Sequence, residues 1–341
     1  MWIIGCDYHP RFQQIALVNT ETGEVEQRRL EHGNGEAEQF YRRWQGQAVR
    51  IGMEASGHSR WFERLVAELG FELWIGDPAQ IRAKAVRKQK TDQHDAQLIV
   101  DLLLEGRFPR LQWWPAPAER DLRQLVLHRH RLVQMRTRMK NQLQALAMNE
   151  CLCGKSKLWS KAGRAQFEAV PLLPWTARRR QDLLQLHDEL VSTTAPLDEA
   201  VVEQAAARPA VQRLMTHPGV GELTALTYVL VIGDPTRFHC GKQVGSYLGL
   251  IPSEATTGGK QRLGHISKQG NALLRGLLCE AAQIAVRYEP QLRRVWRRLS
   301  MKKNRQIATV AVARKLAVRL WWMWIRGLDY GHLFESGSHA G

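Results

Sequence analysis

The chain has 341 residues, and its 49 lysines and arginines against 33 acidic residues give a formal net charge of +16. This length suits two domains with a connecting segment, and the charge predicts a phosphate-rich partner. The five scattered cysteines fit neither a disulfide framework nor a paired zinc site, no signal peptide opens the chain, and the most apolar helix carries three basic residues. The sequence therefore predicts a soluble protein of the reducing cytosol and argues against a membrane span.

The first 80 residues alternate strand and helix patterns. Short apolar runs separated by turn residues over 2–30 predict a three-strand antiparallel meander. This order continues along the chain in a way that is typical of an α/β fold and fits a ribonuclease-H-like topology. The next predicted elements are a helix from Glu36 to Trp44, a strand ending at Glu54, a helix from Arg60 to Leu69 and a strand from Phe71 to Ile75.

Four carboxylates in this region form a candidate metal site. Asp7 and Glu54 each end an apolar run, so neighbouring strands would place them side by side. Asp92 and Asp95 share one face of a predicted helix that Thr91 or Asp92 would cap. Carboxylate oxygens suit Mg²⁺ or Mn²⁺, and two such ions can activate a phosphodiester. Single acids at such positions are commonly caps or loop residues, but four of them in this order within a basic chain favour metal binding.

A basic segment immediately precedes the aspartate pair. A solvated helix face is the simplest interpretation of such a run, but beside a metal site we expect its side chains to position phosphates. Its members are Arg82, Lys84, Arg87, Lys88 and Lys90.

The middle of the chain predicts two long helices. From Glu119 to about Ala147, apolar residues recur at seven-residue intervals, which is typical of a coiled coil, although arginines interrupt the second apolar position. A leucine-rich helix from Arg180 to Ala207 is a candidate partner within the chain. We expect a helical insert over roughly 119–208 that either assembles an oligomer or folds back as an intramolecular hairpin.

The second half carries candidate nucleic-acid contacts. A Pro-Gly-Val-Gly turn at 218–221 resembles a helix-hairpin-helix element, although such turns also simply join helices. The Gly-Gly-Lys at 258–260 lacks the spacing of a nucleotide-binding P-loop and predicts a mobile loop with hydroxyl groups instead. Cationic side chains suited to a phosphate surround that loop, namely Lys260, Arg262, His265, Lys268 and Arg275.

The C-terminal helices are strongly basic, which predicts salt-dependent binding of nucleic acid. Beyond them, Trp321, Trp322 and Trp324 could stack on unpaired bases. Such a cluster is more often core or interface, and we favour that interpretation. The basic residues are Arg287, Arg293, Arg294, Arg297, Arg298, Lys302, Lys303 and Arg305.

Over nearly its whole length the chain resembles the DEDD-type transposases of the insertion-sequence family that includes the pilin-inversion recombinase and the bridge-RNA-guided recombinases. Together the motifs that carry this resemblance are specific. They are Gly5-Cys6-Asp7, Met53-Glu54-Ala55-Ser56-Gly57, Lys90-Thr91-Asp92-Gln93-His94-Asp95-Ala96, Pro218-Gly219-Val220-Gly221, Tyr247-Leu248-Gly249-Leu250-Ile251-Pro252 and Arg262-Leu263-Gly264-His265-Ile266-Ser267-Lys268-Gln269-Gly270-Asn271.

The resemblance implies an α/β fold followed by helical domains. It implies a RuvC-like, ribonuclease-H-like domain over 1–110 that holds Mg²⁺ or Mn²⁺ at the four carboxylates, a helical coiled-coil insert over 111–208, and a mainly helical transposase domain over 209–330. In the family the nucleophile is a serine just before the glycine in the loop after the Gly-Leu-x-Pro motif. Here the matching residue is Thr257, whose extra methyl hinders attack, with Thr256 and Ser253 as alternatives.

The implied reaction is metal-dependent cleavage and rejoining of target and donor DNA through a covalent ester between the hydroxyl and DNA, which needs no ATP. The resemblance also implies a structured bridge RNA that pairs with both DNAs, and assembly as a dimer or tetramer. Two alternatives are kept: a metal-dependent junction resolvase or nuclease that uses water, and a non-catalytic nucleic-acid-binding regulator descended from a transposase.

Overall fold

A computed structural model describes residues 1–85, 91–152, 158–255 and 262–333. The chain divides into two compact units, Met1–Trp114 and Pro115–Gly341. The first is a mixed α/β unit and the second is mainly helical, which confirms the predicted fold class at this level. No helix within the described ranges is both long and apolar enough to cross a membrane.

The N-terminal unit is built on a five-stranded mixed sheet in the order β3-β2-β1-β4-β5. The first three strands form the predicted antiparallel meander, whereas β4 joins β1 and β5 joins β4 in parallel. The predicted elements are all present, with ends shifted by one or two residues. They are β1 (Trp2–Tyr8), β2 (Phe12–Asn19), β3 (Val25–Glu31), α1 (Glu36–Arg42), β4 (Val49–Glu54), α2 (Arg60–Glu68), β5 (Glu72–Gly76) and α4 (Asp92–Leu104). One further short helix, α3 (Pro78–Ala83), was not predicted.

The sheet of this unit separates two apolar layers, because alternate residues of a strand point to opposite faces. Ile4 and Cys6 of β1 pack in one layer with residues of α1 and α2. Ile3 of β1 packs in the other layer, beneath Ile99 and Val100 of α4. The face of β1 that carries odd-numbered residues is therefore the face that α4 covers.

In the C-terminal unit, two helices of 33 residues, α5 (Pro117–Asn149) and α7 (Pro174–Ala206), pack against each other. Near the start of α5, Leu122 shares a core with Val201 from the end of α7, and near its end Leu143 shares another with Leu183. The two helices are thus antiparallel, and the predicted intramolecular partner helix is confirmed. Arg129, one of the arginines that interrupt the apolar stripe, donates to Asp198 of α7 at 2.5 Å.

The remaining elements of the unit are α6 (Lys161–Ala169), α8 (Pro209–Met215), α9 (Glu222–Ile232), a 3₁₀ turn (Pro235–Arg237), α10 (Gly241–Tyr247), β6 (Pro252–Glu254), β7 (Leu263–Ile266), α11 (Ala272–Tyr288), α12 (Pro290–Lys302), α13 (Arg305–Arg326) and a 3₁₀ turn (Gly331–Leu333). Helices α8 to α13 enclose the largest core of the unit with parts of α5 and α7, whereas Phe167 of α6 packs in the core that holds Leu143 of α5. Trp321 is buried in the largest core and Trp322 and Trp324 pack against its edge, which confirms the preferred interpretation of the tryptophan cluster.

The Pro-Gly-Val-Gly turn joins α8 to α9 and lies against α11. Gly219 has a φ of 86°, and a Cβ there would lie 2.6 Å from the carbonyl oxygen of Ala281. Close packing of the turn on α11 accounts for this glycine, which agrees with the simpler of the two predicted interpretations.

Candidate metal centre and nucleic-acid surfaces

The parallel pairing of β1 with β4 brings two of the four predicted carboxylates to neighbouring positions. The registered pairs end at Cys6 opposite Met53, so Asp7 and Glu54 are the next residues on adjacent strands. Strand alternation puts Asp7 on the face of Gly5 and Glu54 on the face of Gly52, which is the face that α4 covers. Asp7 is buried and Glu54 is half-buried.

Two glycines allow α4 to lie directly on these strands. A Cβ on Gly5 would be 2.8 Å from the backbone nitrogen of Val100, and a Cβ on Gly52 would be 2.7 Å from Cδ1 of Leu103. Because α4 runs across this face, its first turn lies near the end of β1. That turn carries the other two predicted acids, Asp92 and Asp95.

The beginning of α4 is defined by a side-chain cap. Thr91 has an extended backbone, and its hydroxyl accepts a hydrogen bond from the backbone nitrogen of His94 at 3.3 Å, so Thr91 is the cap. Asp92 and Asp95 follow in the first turn, where the partial positive charge of the helix end favours carboxylates. The local sequence thus both starts the helix and orients its acids.

His9 joins this cluster, although the sequence did not single it out. Its Nε2 lies 3.2 Å from Oδ2 of Asp7 and 3.6 Å from Oδ1 of Asp92. One ligand atom from each of Asp7, His9 and Asp92 lies within 4.8 Å of the others. The only sequence signal for His9 is its position two residues beyond Asp7 at a strand end.

The electrostatics of this cluster suit a cation. Burial raises the pKa of Asp7, the negative charges of Asp95 and Asp92 raise it further, and His9 opposes this rise. The charged form of Asp7 is therefore disfavoured unless positive charge is nearby. Carboxylate oxygens with one imidazole nitrogen make a donor set that fits a divalent metal ion.

The loop after Glu54 is tied to the end of β1. Tyr8, next to Asp7, donates from its hydroxyl to the carbonyl oxygen of His58 at 3.0 Å, and the indole nitrogen of Trp61 donates to the same hydroxyl at 2.6 Å. These bonds restrain the chain that follows each of the two strand-end acids. The backbone positions of Asp7 and Glu54 are thereby held together without a direct bond between their side chains.

The predicted nucleophile loop lies between β6 and β7 of the C-terminal unit. Thr256, Thr257 and Lys260 fall outside the described residues. Ser253, the remaining candidate, lies in β6, and its hydroxyl donates to the carbonyl oxygen of His265 at 3.0 Å. Ser253 therefore has a role in pairing the two strands of this hairpin.

A cavity of about 1130 Å³ lies beside the hairpin. Its floor is largely apolar and includes Trp322 of α13. Within the described ranges, no acidic side chain lines it, whereas several cationic groups do. One of them, Lys268, has a φ of 56°, a left-handed conformation that is uncommon for a residue with a Cβ. The cationic lining residues are Lys242, Lys268, Arg314 and Lys315, and His265 adds an imidazole.

Some predicted phosphate ligands are engaged with the protein's own backbone. Lys84 donates to the carbonyl oxygen of Arg107, and Arg275 donates to those of Gln269 and Gly270 at 2.6 and 3.1 Å. Arg82, Arg262 and Lys268 are exposed. Arg87, Lys88 and Lys90 fall outside the described residues.

The basic helix α12 presents a stripe of three exposed arginines, Arg294, Arg297 and Arg298, whose spacing places them on one helical face. Arg293 differs from them, because its guanidinium is half-buried and donates to the carbonyl oxygens of Val286 and Arg287 at the end of α11. The acid within this basic region, Glu289, is buried and accepts from Arg319 at 2.5 Å. It therefore does not offset the exposed charge.

Two family models match the chain. One, a model of DEDD-type IS110 transposases described as Transposase, matches residues 4–150, which include all four carboxylates. The other, described as Transposase IS116/IS110/IS902 family, matches residues 211–297, which include the β6–β7 hairpin and most of α12. Between them they match most of the chain.

Similar proteins carry transposase names. The chain is 29% identical over 330 residues to "Probable family 20 transposase" of Pseudomonas aeruginosa. This alignment covers 93% of this chain and 95% of that protein. It is 28% identical over 291 residues to the transposase for insertion sequence element IS1111A of Coxiella burnetii, and this alignment covers 82% of this chain and 78% of that protein. It is 28% identical over 281 residues to the transposase for insertion sequence element IS1328 of Yersinia enterocolitica, and this alignment covers 80% of this chain and 82% of that protein. The chain belongs to the DEDD-type transposases of the IS110 family.

Proposed function

We propose that this transposase cuts and rejoins DNA through a covalent protein–DNA ester, with divalent metal held by Asp7, Glu54, Asp92 and Asp95. The observation that carries this proposal is the approach of Asp92 to the strand-end Asp7, with His9 between them at 3.2 and 3.6 Å. The antiparallel meander followed by two parallel strands supports a RuvC-like, ribonuclease-H-like identity for the N-terminal unit. The division into domains over 1–110, 111–208 and 209–330, with α5 and α7 as the coiled-coil insert, belongs to the same proposal.

All four carboxylates serve the metal in this proposal. Asp7 and Asp92 would hold the ion from β1 and from α4, and Glu54 and Asp95 would add donors from β4 and from α4. Mg²⁺ or Mn²⁺ bound there would supply Lewis-acid activation of a phosphodiester. The burial of Asp7 would strengthen its interaction with a cation, because water screens the pair less.

The hydroxyl of Thr257 is the proposed nucleophile. Its oxygen forms a new bond to phosphorus, the bond from phosphorus to one strand end breaks, and that end leaves as a hydroxyl after taking up a proton. Rejoining runs in the opposite direction, when a strand-end hydroxyl attacks the ester and Thr257 is released with a proton. Each step exchanges one phosphate ester for another, so no external energy source is needed.

The basic surfaces are the proposed binding sites for target DNA, donor DNA and a structured bridge RNA. Supporting features are the formal net charge of +16, the cationic cavity beside the hairpin and the α12 stripe. Lysine and arginine side chains bind phosphates and position a nucleic-acid strand without recognising its base sequence. Base pairing by the RNA would then supply sequence choice, and a dimer or tetramer would supply the several active sites that strand exchange requires.

The test uses the chain purified from cells that also carry the non-coding DNA on either side of its gene. RNA that copurifies is sequenced, and labelled DNA from the element ends is added with Mg²⁺. After denaturation, label retained on the protein is expected for the wild type. Asp7→Asn is expected to lose at least about 100-fold of this adduct, since even residues that only support metal ligands typically contribute 10–100-fold.

The same experiment separates the competing functions. Cleaved DNA with free ends and no adduct would assign a nuclease that uses water. Salt-sensitive binding without cleavage would assign a regulator derived from a transposase. Full activity in EDTA, or in Asp7→Asn, would overturn the metal mechanism, and absence of a discrete RNA would overturn the proposed RNA partner.

A further inference from the structure

We propose that His9 is itself a metal ligand, so that Asp7, His9 and Asp92 form a mixed nitrogen–oxygen site that takes Mn²⁺ in preference to Mg²⁺. This inference rests on the proposed metal-dependent function and names an additional residue and the ion class it selects. It is carried by the position of the imidazole nitrogen between two carboxylates on different elements.

The distances agree with ligands of one ion. Metal–ligand bonds of about 2.1–2.2 Å place neighbouring ligands of an octahedral ion roughly 3 Å apart. The observed separations from Nε2 of His9 are 3.2 Å to Asp7 and 3.6 Å to Asp92. Shifts of a few tenths of an ångström would bring the imidazole nitrogen to this spacing from each carboxylate oxygen, and the three ligand atoms all lie within 4.8 Å of one another.

The ring of His9 is held in this place by its surroundings. It stacks on Phe12 of β2 with ring centroids 4.6 Å apart. Its backbone nitrogen donates to the carbonyl oxygen of Phe12 at 2.9 Å, which fixes the turn between β1 and β2. The stacking and the backbone bond thus keep the imidazole beside Asp7 and Asp92.

The ligand chemistry then decides which ion is preferred. Mg²⁺ binds oxygen ligands and water and gains little from an imidazole nitrogen. Mn²⁺ also favours oxygen ligands, but as a transition metal it accepts an imidazole nitrogen more readily than Mg²⁺ does, and affinity for such a mixed site rises further along the first-row series. A nitrogen donor inside the ligand set therefore shifts selectivity away from Mg²⁺.

The test is pulsed electron paramagnetic resonance of the full chain loaded with one equivalent of Mn²⁺, because a directly bound imidazole adds nitrogen-14 modulation to the Mn²⁺ signal. We expect this modulation in the wild type, its loss in His9→Gln, and its retention in His94→Gln. His94 is a matched control, since it is an exposed histidine in the first turn of α4 that does not belong to the cluster. The glutamine at position 9 keeps a possible oxygen donor.

A titration provides the second measurement. His9→Gln is expected to weaken Mn²⁺ binding by about 10-fold or more and Mg²⁺ binding by less than about 3-fold, because only Mn²⁺ loses a favoured ligand. Mn²⁺ bound at Asp7 without nitrogen modulation, or modulation that persists in His9→Gln, would overturn the role of His9 and leave the proposed function standing. Mn²⁺ binding that is unchanged by Asp7→Asn would overturn the metal centre as well.

Discussion

Gly5 of β1 lies directly against Val100 of α4, with only 2.8 Å between the place where a Cβ would stand and the backbone nitrogen of Val100. Its neighbour Cys6 is buried on the opposite face of the strand, and Asp7 follows near the C-terminal end of β1, the central strand of the sheet. The closeness of the helix at Gly5 sets how near the first turn of α4 comes to Asp7. A packing contact between two apolar segments thus controls the geometry of the candidate metal centre.

Gly5→Ala is expected to push α4 away from β1. The added methyl meets backbone atoms, which cannot rotate aside, so we expect a loss of about 1–3 kcal/mol in the free energy of unfolding. The thermal stabilisation by Mn²⁺ should fall as well, because Asp92 moves with the helix. Gly33→Ala is the control, since a Cβ at that turn has open space. If Gly5→Ala left both the stability and the response to Mn²⁺ unchanged, α4 would not be positioned by this contact.

The exposed stripe on α12 should set the salt dependence of nucleic-acid binding. Replacing Arg294, Arg297 and Arg298 together with glutamine is expected to flatten the slope of log affinity against log salt, by up to about 0.9 for each phosphate of duplex DNA that the protein no longer neutralises. Fluorescence anisotropy of a labelled duplex at several salt concentrations measures this slope. If it does not change, these arginines do not bind phosphates.

Arg293 provides the contrast within the same helix. Its guanidinium donates to carbonyl oxygens at the end of α11, so Arg293→Gln should lower the unfolding temperature and leave the salt slope as it is. The carbonyl of Val286 is partly buried and that of Arg287 is exposed, so losing these bonds should cost about 1 kcal/mol. A changed slope with unaltered stability would reassign Arg293 to the nucleic-acid surface.

Thr257 is expected to be a slower nucleophile than serine, because its methyl restricts χ1 and crowds the approach to phosphorus. Thr257→Ser should therefore increase the trapped adduct, and Thr257→Ala should eliminate it while binding is kept. Mass spectrometry of the digested adduct locates the ester. An ester on Thr256 or Ser253, or an adduct in the alanine variant, would contradict the assignment. Ser253→Ala should weaken the hairpin instead, since its hydroxyl donates to His265.

His217 makes the stability of the chain depend on pH. Its ring is buried, its Nδ1 donates to the carbonyl oxygen of Pro218 at 2.9 Å, and burial lowers its pKa to about 4. Because Pro218 offers only an acceptor there, the proton of the neutral ring is on Nδ1. In the unfolded chain a histidine titrates near about 6.5, so the unfolded state takes up a proton first as pH falls.

The stability that the neutral His217 ring contributes is therefore present in full above about pH 6.5 and is lost as the pH falls toward the pKa of the folded state, about 4. Lowering the pH from about 7 to about 5 should therefore reduce the free energy of unfolding by about 2 kcal/mol through this residue. His217→Asn retains a donor for Pro218 but does not titrate, so its urea unfolding should depend less on pH by this amount. Equal pH dependence in the two proteins would contradict the burial argument.

Local patterns in the sequence were sufficient to predict most of the strands and helices of this protein. The alternation of apolar runs predicted the strands, Thr91 predicted the start of α4, and the leucine-rich segment after Arg180 predicted the partner helix of α5. Each of these features depends on residues close together in the chain, where strand and helix periodicity and capping act directly. The order of Asp7, Glu54, Asp92 and Asp95 was visible in the same way.

The composition of the candidate site and the tasks of individual cations were decided only by the tertiary structure. His9 joins Asp92 because α4 lies against Gly5 and Gly52, and Arg293 is withdrawn from the surface because the end of α11 offers it carbonyl oxygens. These relationships depend on close packing between segments far apart in sequence, where a few tenths of an ångström separate a contact from a clash. Residue type and spacing carry no such distances, so a histidine beside an aspartate and an arginine among arginines look alike until the chain has folded.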